Sequence, residues 1–295
     1  RKAWRADRPQ VAQAFLYHAN VLTAISTAKS RSPVLSFGFR VSDPSRRRQL
    51  VERWFSRRAD RVVCVSKSVA DFAINKVGIA PQKILVIPNG IQPKQPGSIK
   101  PADLTPLGIP KDAPTLTCVA RLTQQKGVDR LIRAAPAIVG KLPDHHVLLV
   151  GDGPQRTELL ELAAQLGISS HVHFAGWRPD IAELLRASRL LVLPSRWEGM
   201  PNVLLEAMAC GLPVVCTRTD GVIEVLGPVS DEQTVPEGTP QAIAEKVVKL
   251  CADPGLRAHL GAANQQRVNQ EFSIERMIAQ YERLFEALAN SADAI

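Results

Sequence analysis

The sequence has no apolar run long enough to cross a bilayer. Its longest runs, such as Val147–Val150, have the length of buried strands, whereas a membrane span needs about 20 apolar residues. The charged opening at Arg1 also lacks the apolar segment and small-residue cleavage site of a signal peptide. A membrane-spanning protein is therefore not expected, and the opening predicts an N-terminal truncation.

Patterns that hold metal ions are also missing. None of the five cysteines belongs to a C-x-x-C pair, the six histidines show no metal-ligand spacing with acids nearby, and no D-x-D sequence occurs. We therefore expect no metal and no cofactor. The cysteines are expected to behave as small hydrophobes in a reducing cytoplasm.

Strand-like and helix-like segments alternate along the 295 residues, which is typical of doubly wound parallel sheets. The first half predicts helices near 8–29, 45–59 and 66–77 and strands at 34–37, 61–65 and 83–87. Pro88-Asn-Gly90 and the proline-rich segment 92–107 that follows it predict a linker and a domain boundary. The second half predicts five strands, at 115–120, 146–150, 171–175, 189–193 and 213–216, and an amphipathic last helix at 273–285.

Glu198 and Glu206 stand eight positions apart, where a loop after the apolar strand 190–194 turns into a helix. Gly199 and Pro201 leave the first helical amides free of side-chain bulk, and these amides, at the positive end of the helix dipole, can bind phosphate. Because a carboxylate beside phosphate would be repelled, the expected partners of the glutamates are hydroxyls, as in sugars or ribose. A plainer interpretation stays open, in which Glu198 caps the helix and Glu206 lies on a solvated face.

Two cations, Arg121 and Lys126, share the loop that follows the predicted strand 115–120. Both can reach a diphosphate, the arginine through its planar fork and the lysine as a point charge. Either residue alone would be taken for a surface charge. The turn 151–153 matches a dinucleotide fingerprint only in part, because Arg156 stands where a third glycine is needed, and a dehydrogenase is therefore a weak alternative.

The net charge of +9 is concentrated near the N-terminus, where residues 1–61 hold 14 Lys and Arg against 4 Asp and Glu. Arginines recur around Trp54 and Phe55 in a predicted helix, a combination found on membrane-surface helices and on nucleic-acid faces. A solvated helix face is the plainer interpretation. No nucleic acid is expected, because no helix-turn-helix, zinc-finger or stacking pattern accompanies the charge. For the basic residues 40–61 the specific candidates are an anionic membrane surface and an acidic acceptor.

Together these motifs resemble the retaining GT-B glycosyltransferases of family 4, over nearly the whole chain. The resemblance rests mainly on the Glu198-x7-Glu206 element and the Arg121 and Lys126 loop. It implies an α/β GT-B fold with two Rossmann-like domains facing a cleft. The N-terminal, acceptor-side domain would span 1–97, incomplete because the family's first strands are absent, and would be joined by the C-terminal helix 273–290. The donor-binding domain would span 98–272.

The resemblance implies a hexosyltransferase that moves a sugar from a nucleoside-diphosphate sugar to a glycan or lipid-linked acceptor, with retention and without metal. It would be cytoplasmic, peripheral on the inner face of the membrane. Arg121 and Lys126 would neutralise the diphosphate, Glu198 would contact the donor sugar, and Glu206 would bind ribose. The remaining donor-binding residues would be Gly199, Met200, Pro201, Asn202 and Val203 through their backbone, and Gly151 and Trp177 near the base.

Departures from the family pattern leave the acceptor side without an assigned catalytic residue. The family often has a histidine after the strand at 34–37, where this chain has Gly38-Phe39-Arg40, and Gln92 stands where an aspartate is frequent. We expect a chain without the first strands to bind nucleotide and turn over slowly. Two alternatives stay open: a non-catalytic nucleotide-sugar binding module, and a GT-B-like epimerase that releases free sugar without an acceptor.

Overall fold

The computed structural model describes residues 9–28, 33–92 and 99–292. Contacts divide the chain into two compact units. Unit 1 comprises Arg1–Gly90, Glu198–Met200 and Phe272–Ile295, and unit 2 comprises Ile91–Trp197 and Pro201–Glu271. The predicted boundary between 97 and 98 lies outside the described residues.

Unit 1 is built on a four-stranded parallel sheet with the strand order β1-β2-β3-β4. The strands are β1 Val11–Phe15, β2 Val34–Phe39, β3 Arg61–Cys64 and β4 Ile84–Val86. The helices are α1 Tyr17–Ser26, α2 Arg46–Ser56, α3 Lys67–Phe72, which continues as a π-helical turn, and α12 Ile274–Ala292. The last helix packs on β1 and β2, and its Leu284 and Leu288 join Val63 and Ile87 in one buried cluster.

The predicted helix 8–29 is wrong in its first part, where the structure has strand β1. Ala12 and Ala14 of this strand are buried, whereas Val11 and Gln13 between them are half-buried. This alternation has the two-residue period of a strand. The helical prediction failed because alanine and glutamine favour helices locally, whereas pairing with β2 along the full length of β1 decides the conformation.

Unit 2 is built on a six-stranded parallel sheet with the order β10-β9-β8-β5-β6-β7. The strands are β5 Thr115–Val119, β6 His146–Val150, β7 Val172–Gly176, β8 Leu190–Leu193, β9 Val214–Thr217 and β10 Thr234–Val235. The helices are α4 Val128–Lys141, α5 Arg156–Gln165, α6 Ile181–Arg186, α7 Asn202–Ala209, α8 Asp220–Leu226, α9 Ser230–Gln233, α10 Pro240–Ala252 and α11 Pro254–Glu271. The five strands predicted here are all present; the two-residue strand β10 was not predicted.

The 18-residue helix α11 was also not predicted, because its sequence has few apolar residues at helical spacing. A buried network of amide groups anchors it instead. Asn264 is fully buried, exchanges hydrogen bonds with Gln233 and donates to the carbonyl of Leu212 at 3.0 Å, and Gln233 accepts from the amide of Val214. A helix held by buried amide groups has no apolar stripe at helical spacing, so its sequence does not predict it.

Strand β5 lies between β6 and β8, so the chain first builds outward to β7 and then returns to the other side of β5. Ligands of open α/β sheets bind at such a reversal, in the crevice at the carboxyl ends of the strands. In unit 2 this crevice lies between the ends of β5 and β8. Among the described residues, no helix has both the length and the apolar character needed to cross a membrane.

Four histidines cluster at the opposite, amino ends of β6 and β7. The Nδ1 atom of His146 lies 2.9 Å from the Nε2 atom of His173, the ring of His171 stacks on His146 at 5.1 Å, and His145 precedes them. The pKa values of His145, His146 and His173 lie below the usual range, chiefly because burial disfavours the charged imidazolium. Repulsion from Arg189 at His145 and from His173 at His146 is the second cause, whereas at His173 a hydrogen bond with the Leu107 backbone opposes part of the shift.

This cluster predicts a loss of stability in mild acid. Histidines whose pKa is lower in the folded state bind fewer protons there than in the unfolded chain, so the free energy of unfolding falls as the pH drops below about 6.5 and levels off below the folded-state pKa. Urea unfolding over this pH range should show the decline. His173→Gln should flatten it, whereas replacement of the exposed His259 by glutamine should leave it unchanged; an equal decline in all three proteins would contradict the prediction.

Candidate nucleotide-sugar site

Three loops at the carboxyl ends of β5, β6 and β8 pack together through glycines. A Cβ atom on Gly127 would overlap the carbonyl oxygen of Pro194, and one on Gly151 would overlap the carbonyl oxygen of Ala120. Both glycines have positive φ, +61° and +128°, where side chains are strained. The loops therefore approach at backbone distance because glycine occupies these positions.

The first of these loops holds both predicted phosphate-binding cations. Arg121 is exposed, two positions after β5. Lys126 is half-buried and ends the short 3-10 turn Gln124–Lys126, directly before Gly127. The left-handed conformation of Gly127 ends this turn and starts α4, so it fixes where the backbone of Lys126 lies relative to β8.

An ion pair joins this segment to the loop after β8. The guanidinium of Arg196 donates two hydrogen bonds to the carboxylate of Asp129, at 2.8 and 2.7 Å, and one to the carbonyl of Gln124 at 2.7 Å. The backbone amide of Arg196 donates to the carbonyl of Gln125 at 2.8 Å. These bonds hold the loop of Arg121 and Lys126 against the loop that leads toward Glu198.

The protonation of Asp129 follows from this pairing. Burial pushes its pKa upward, but the hydrogen bonds and charge of Arg196 outweigh burial, so the pKa of Asp129 lies below its usual range. The carboxylate therefore stays charged at neutral pH, and its ion pair with Arg196 is maintained.

Helix α7 starts at the carboxyl end of β8. Pro201 is buried and precedes the helix, Asn202 is exposed at its first position, and Val203 is half-buried. The amide of Leu204 donates to the carbonyl of Pro201 at 3.1 Å. The helix start has no acidic residue in its first turn, so its positive end meets no carboxylate from α7 itself.

Glu206 lies one turn into α7 and lines a cavity of about 320 Å³ within unit 2. The other walls shown by the structure are mostly apolar and come from α7, α6 and the segment after residue 90. They are Ile91, Gln92, Ile99, Pro179, Ile181, Ala182, Ala209 and Cys210. One carboxylate in an otherwise mostly apolar cavity suits a ligand with both hydroxyls and a flat apolar part.

Trp177 follows β7 and has 76% of its surface exposed. Pro179, two positions on, lines the cavity of Glu206. The indole is thus free to contact a ligand.

Three of the predicted site residues, Glu198, Gly199 and Met200, belong to unit 1, although the residues on either side of them in the chain belong to unit 2. Glu198 is buried, with 8% of its surface exposed. Met200 is held by Asn89, whose backbone amide donates to the sulfur at 3.2 Å and whose side chain donates to the carbonyl at 3.3 Å. A Cβ atom on Gly199 would overlap the carbonyl oxygen of Arg40.

Arg40 and Asn89 are candidate functional residues that the motifs did not identify. They follow β2 and β4 at the carboxyl edge of the unit 1 sheet, and the Nη2 atom of Arg40 donates to the side-chain oxygen of Asn89. The Arg40 guanidinium also lies over the Phe15 ring, 5.6 Å from its centroid. Their shared position at strand ends could have identified them, because the carboxyl edge of a parallel sheet is where ligands bind.

The candidate site in unit 2 combines two cationic side chains with the N-terminus of a helix. Within the described part of the chain, no group of three or more His, Cys, Asp or Glu could hold a metal ion. Arg121, Lys126, Gly151 and the start of α7 all lie at the carboxyl ends of neighbouring strands in unit 2. This arrangement can receive a diphosphate.

Comparisons with known families cover both units. The family "Glycosyl transferases group 1" matches residues 100–267, and "Glycosyltransferase Family 4" matches residues 1–95. Among curated proteins, the lipopolysaccharide core biosynthesis glycosyltransferase LpsE of Rhizobium meliloti is 32% identical over 78% of this chain and 65% of its own length. The UDP-Gal:alpha-D-GlcNAc-diphosphoundecaprenol alpha-1,3-galactosyltransferase of Escherichia coli is 33% identical over 59% of this chain and 47% of its own length.

Among solved structures, Anabaena Alr3699/HepE in complex with UDP and glucose matches with a TM-score of 0.85 and 23% identity, over 97% of this chain and 80% of that protein. Several such neighbours are GT-B glycosyltransferases with a Rossmann-like two-domain layout, which bears out the predicted fold class. The chain spans 65% and 47% of the lengths of the two curated relatives named above.

Proposed function

This chain belongs to the glycosyl transferases group 1 family, and from that premise we propose that it transfers a sugar from a nucleoside-diphosphate sugar to a glycan or lipid-linked acceptor, with retention of anomeric configuration. The observation that carries the proposal is the meeting of the Arg121 and Lys126 loop, the Gly151 turn and the start of α7 at the chain reversal of the unit 2 sheet. A diphosphate needs such a site, with cations and a helix N-terminus on one edge.

The donor is divided among the residues of this edge. Arg121 and Lys126 bind the diphosphate together with the N-terminal end of α7, at Asn202 and Val203. Glu206 accepts hydrogen bonds from ribose hydroxyls in its cavity. The apolar walls of this cavity and the neighbouring Trp177 contact the nucleobase. Glu198 contacts the donor sugar.

The same groups serve the chemistry. The bond between the anomeric carbon and the diphosphate oxygen breaks, and its electron pair stays on the diphosphate. The acceptor oxygen forms the new bond on the same face, and its proton passes to the leaving diphosphate oxygen. Arg121, Lys126 and the positive end of α7 stabilise the charge that builds on the leaving diphosphate. With these charges in place no metal is needed, so a chelator should leave transfer unchanged.

The acceptor is a lipid-linked or polysaccharide glycan. Relatives named for lipopolysaccharide core synthesis and for a diphosphoundecaprenol substrate support this class. Such acceptors lie at a membrane, and the basic residues 40–61 provide the contact with its anionic surface. We place the protein on the cytoplasmic side, where nucleotide sugars are made available.

Thermal-shift titration with UDP, GDP and ADP tests donor binding. A ligand at about 100 times its dissociation constant stabilises by roughly 2.7 kcal/mol, which raises the melting temperature of a protein this size by about 2–4 °C. We expect a shift with one diphosphate and its loss in Glu206→Ala, because ribose then loses its acceptor. The matched control is Glu161→Ala, an exposed glutamate of α5, which should keep the shift.

The outcomes separate the proposal from its alternatives. No shift with any nucleotide, or an equal shift in Glu206→Ala, contradicts the donor site. A shift without sugar transfer to any acceptor supports a binding module. Release of free sugar that does not depend on acceptor supports an epimerase.

A further inference from the structure

Helix α2 presents an outward face that combines arginines with exposed apolar side chains. At about 100° per residue, six positions fall within an arc of about 120°. They are Arg53, Arg46, Arg57, Leu50, Trp54 and Arg47, in order around the helix. Leu50 is 66% exposed and Trp54 is 63% exposed, so no described part of unit 1 covers this face.

The charges of this face are not neutralised within the described residues. There the only arginine of α2 in a salt bridge is Arg48, which pairs with Asp43 at 2.6 Å and lies over the Tyr17 ring, outside the arc. The only acid of α2, Glu52, is half-buried, and burial followed by the charge of Asp43 raises its pKa to about 7. Its charge therefore offsets little of the field of the four arginines.

Two of these arginines also line a small cavity. Arg53 and Arg57 border a space of about 180 Å³ together with Lys83. The ammonium of Lys83 donates to the carbonyls of Arg57 at 3.0 Å and Ala59 at 2.6 Å. A Cβ atom on Gly78 would lie 3.3 Å from the Nε atom of Arg53, so glycine keeps space beside this guanidinium. A cavity with three cations suits a phosphate group.

We propose that this face of α2 docks on an anionic lipid bilayer, with Trp54 and Leu50 at the headgroup level and the arginines on lipid phosphates. The four arginines of this face indicate a polyanionic partner. The exposed apolar side chains of Leu50 and Trp54 among them distinguish a lipid bilayer from other polyanions. A bilayer accepts cations and apolar side chains together. A nucleic acid duplex or an acidic glycan would leave Leu50 and Trp54 in water. The inference specifies the surface behind the membrane contact proposed above, and its test needs no transfer activity.

Vesicle sedimentation tests the surface. Binding to phosphatidylcholine vesicles containing about 30% phosphatidylglycerol should exceed binding to pure phosphatidylcholine and should weaken with salt. Each arginine at the surface contributes about fivefold to partitioning, so Arg47→Gln, Arg53→Gln and Arg57→Gln combined should lower it roughly 100-fold. Trp54→Ser with Leu50→Ser should lower it about tenfold or more.

Matched controls remove the same charge or the same apolar surface elsewhere. Arg133, Arg156 and Arg189 are exposed arginines of unit 2, and their combined change to glutamine should leave vesicle binding unchanged. Leu160 is an exposed leucine of α5, and Leu160→Ser should likewise have no effect. The α2 variants should keep the wild-type melting temperature and nucleotide shift, which separates failure of this surface from failure of the donor site or of folding.

Three results would overturn the proposal. One is equal binding to neutral and anionic vesicles, and another is an equal loss in the unit 2 arginine control. The third is binding to a DNA oligonucleotide or a sulfated polysaccharide that α2 mediates while vesicles are not bound.

Discussion

Replacement of Lys126 by methionine is expected to lower the rate of sugar transfer by about 10²–10³-fold, the cost of removing one group that stabilises developing charge. Methionine keeps much of the side-chain length and removes the charge. Arg121→Met should have a similar effect. The double variant should lose less than the product of the single losses, because both cations act on one diphosphate.

A binding measurement separates this role from general damage to the protein. Lys126→Met should lose affinity for the nucleoside diphosphate but keep its affinity for the nucleoside alone, because the Glu206 cavity is untouched. Lys141→Met, at the exposed far end of α4, is the matched control and should keep both affinities and the rate. Equal losses for nucleoside and diphosphate would show that Lys126 supports the fold instead of the phosphate.

Gly151→Ala is expected to destabilise unit 2 by about 4 kcal/mol, through backbone strain at positive φ and overlap with a neighbouring carbonyl. In this structure φ is +128° and the added Cβ overlaps the carbonyl oxygen of Ala120. For a protein of this size the melting temperature should fall by roughly 10 °C. Nucleotide binding should weaken as well, because the loops after β5 and β6 must separate.

Alanine substitutions at two other glycines separate the backbone strain at positive φ from the steric overlap of the added Cβ atom. Gly167 has φ +67° with no atom within 4 Å of an added Cβ, so Gly167→Ala should cost only the strain, about 1 kcal/mol. Gly140 lies in α4 with open space around it, so Gly140→Ala should stabilise by up to about 1 kcal/mol. Calorimetry of the three variants should give this order, and a Gly151 variant as stable as the Gly167 variant would refute the overlap.

The sequence predicted those strands and helices of unit 2 that are marked by residues close together in the chain. Strands β5, β6 and β8 are runs of buried apolar residues, and Gly211 and Pro213 mark the end of α7. The positions of Arg121 and Lys126 follow from the strand before them. Periodicity could not reveal α11, because the buried amide of Asn264 holds it, and β1 was misread because pairing with β2 overrides local preference.

The approach of the site loops could not be predicted either. Gly127 contacts Pro194, which is distant in sequence, and Arg196 pairs with Asp129 across a similar separation. Such pairings depend on strand order, which a single sequence does not contain. The grouping of Glu198 and Met200 with Asn89 in unit 1 is of the same kind, since no local pattern connects residues so far apart.

The packing of α12 on the sheet of unit 1 has a consequence for synthesis on the ribosome. Val63 and Ile87 are made before unit 2, but Leu284 and Leu288, which pack against them, are made after it. This part of unit 1 is therefore completed only after unit 2 has been made, and its apolar surface stays open to chaperones or to other nascent chains in the meantime. A stop codon just before α12 would turn this interval into a permanent state, with aggregation as its expected outcome.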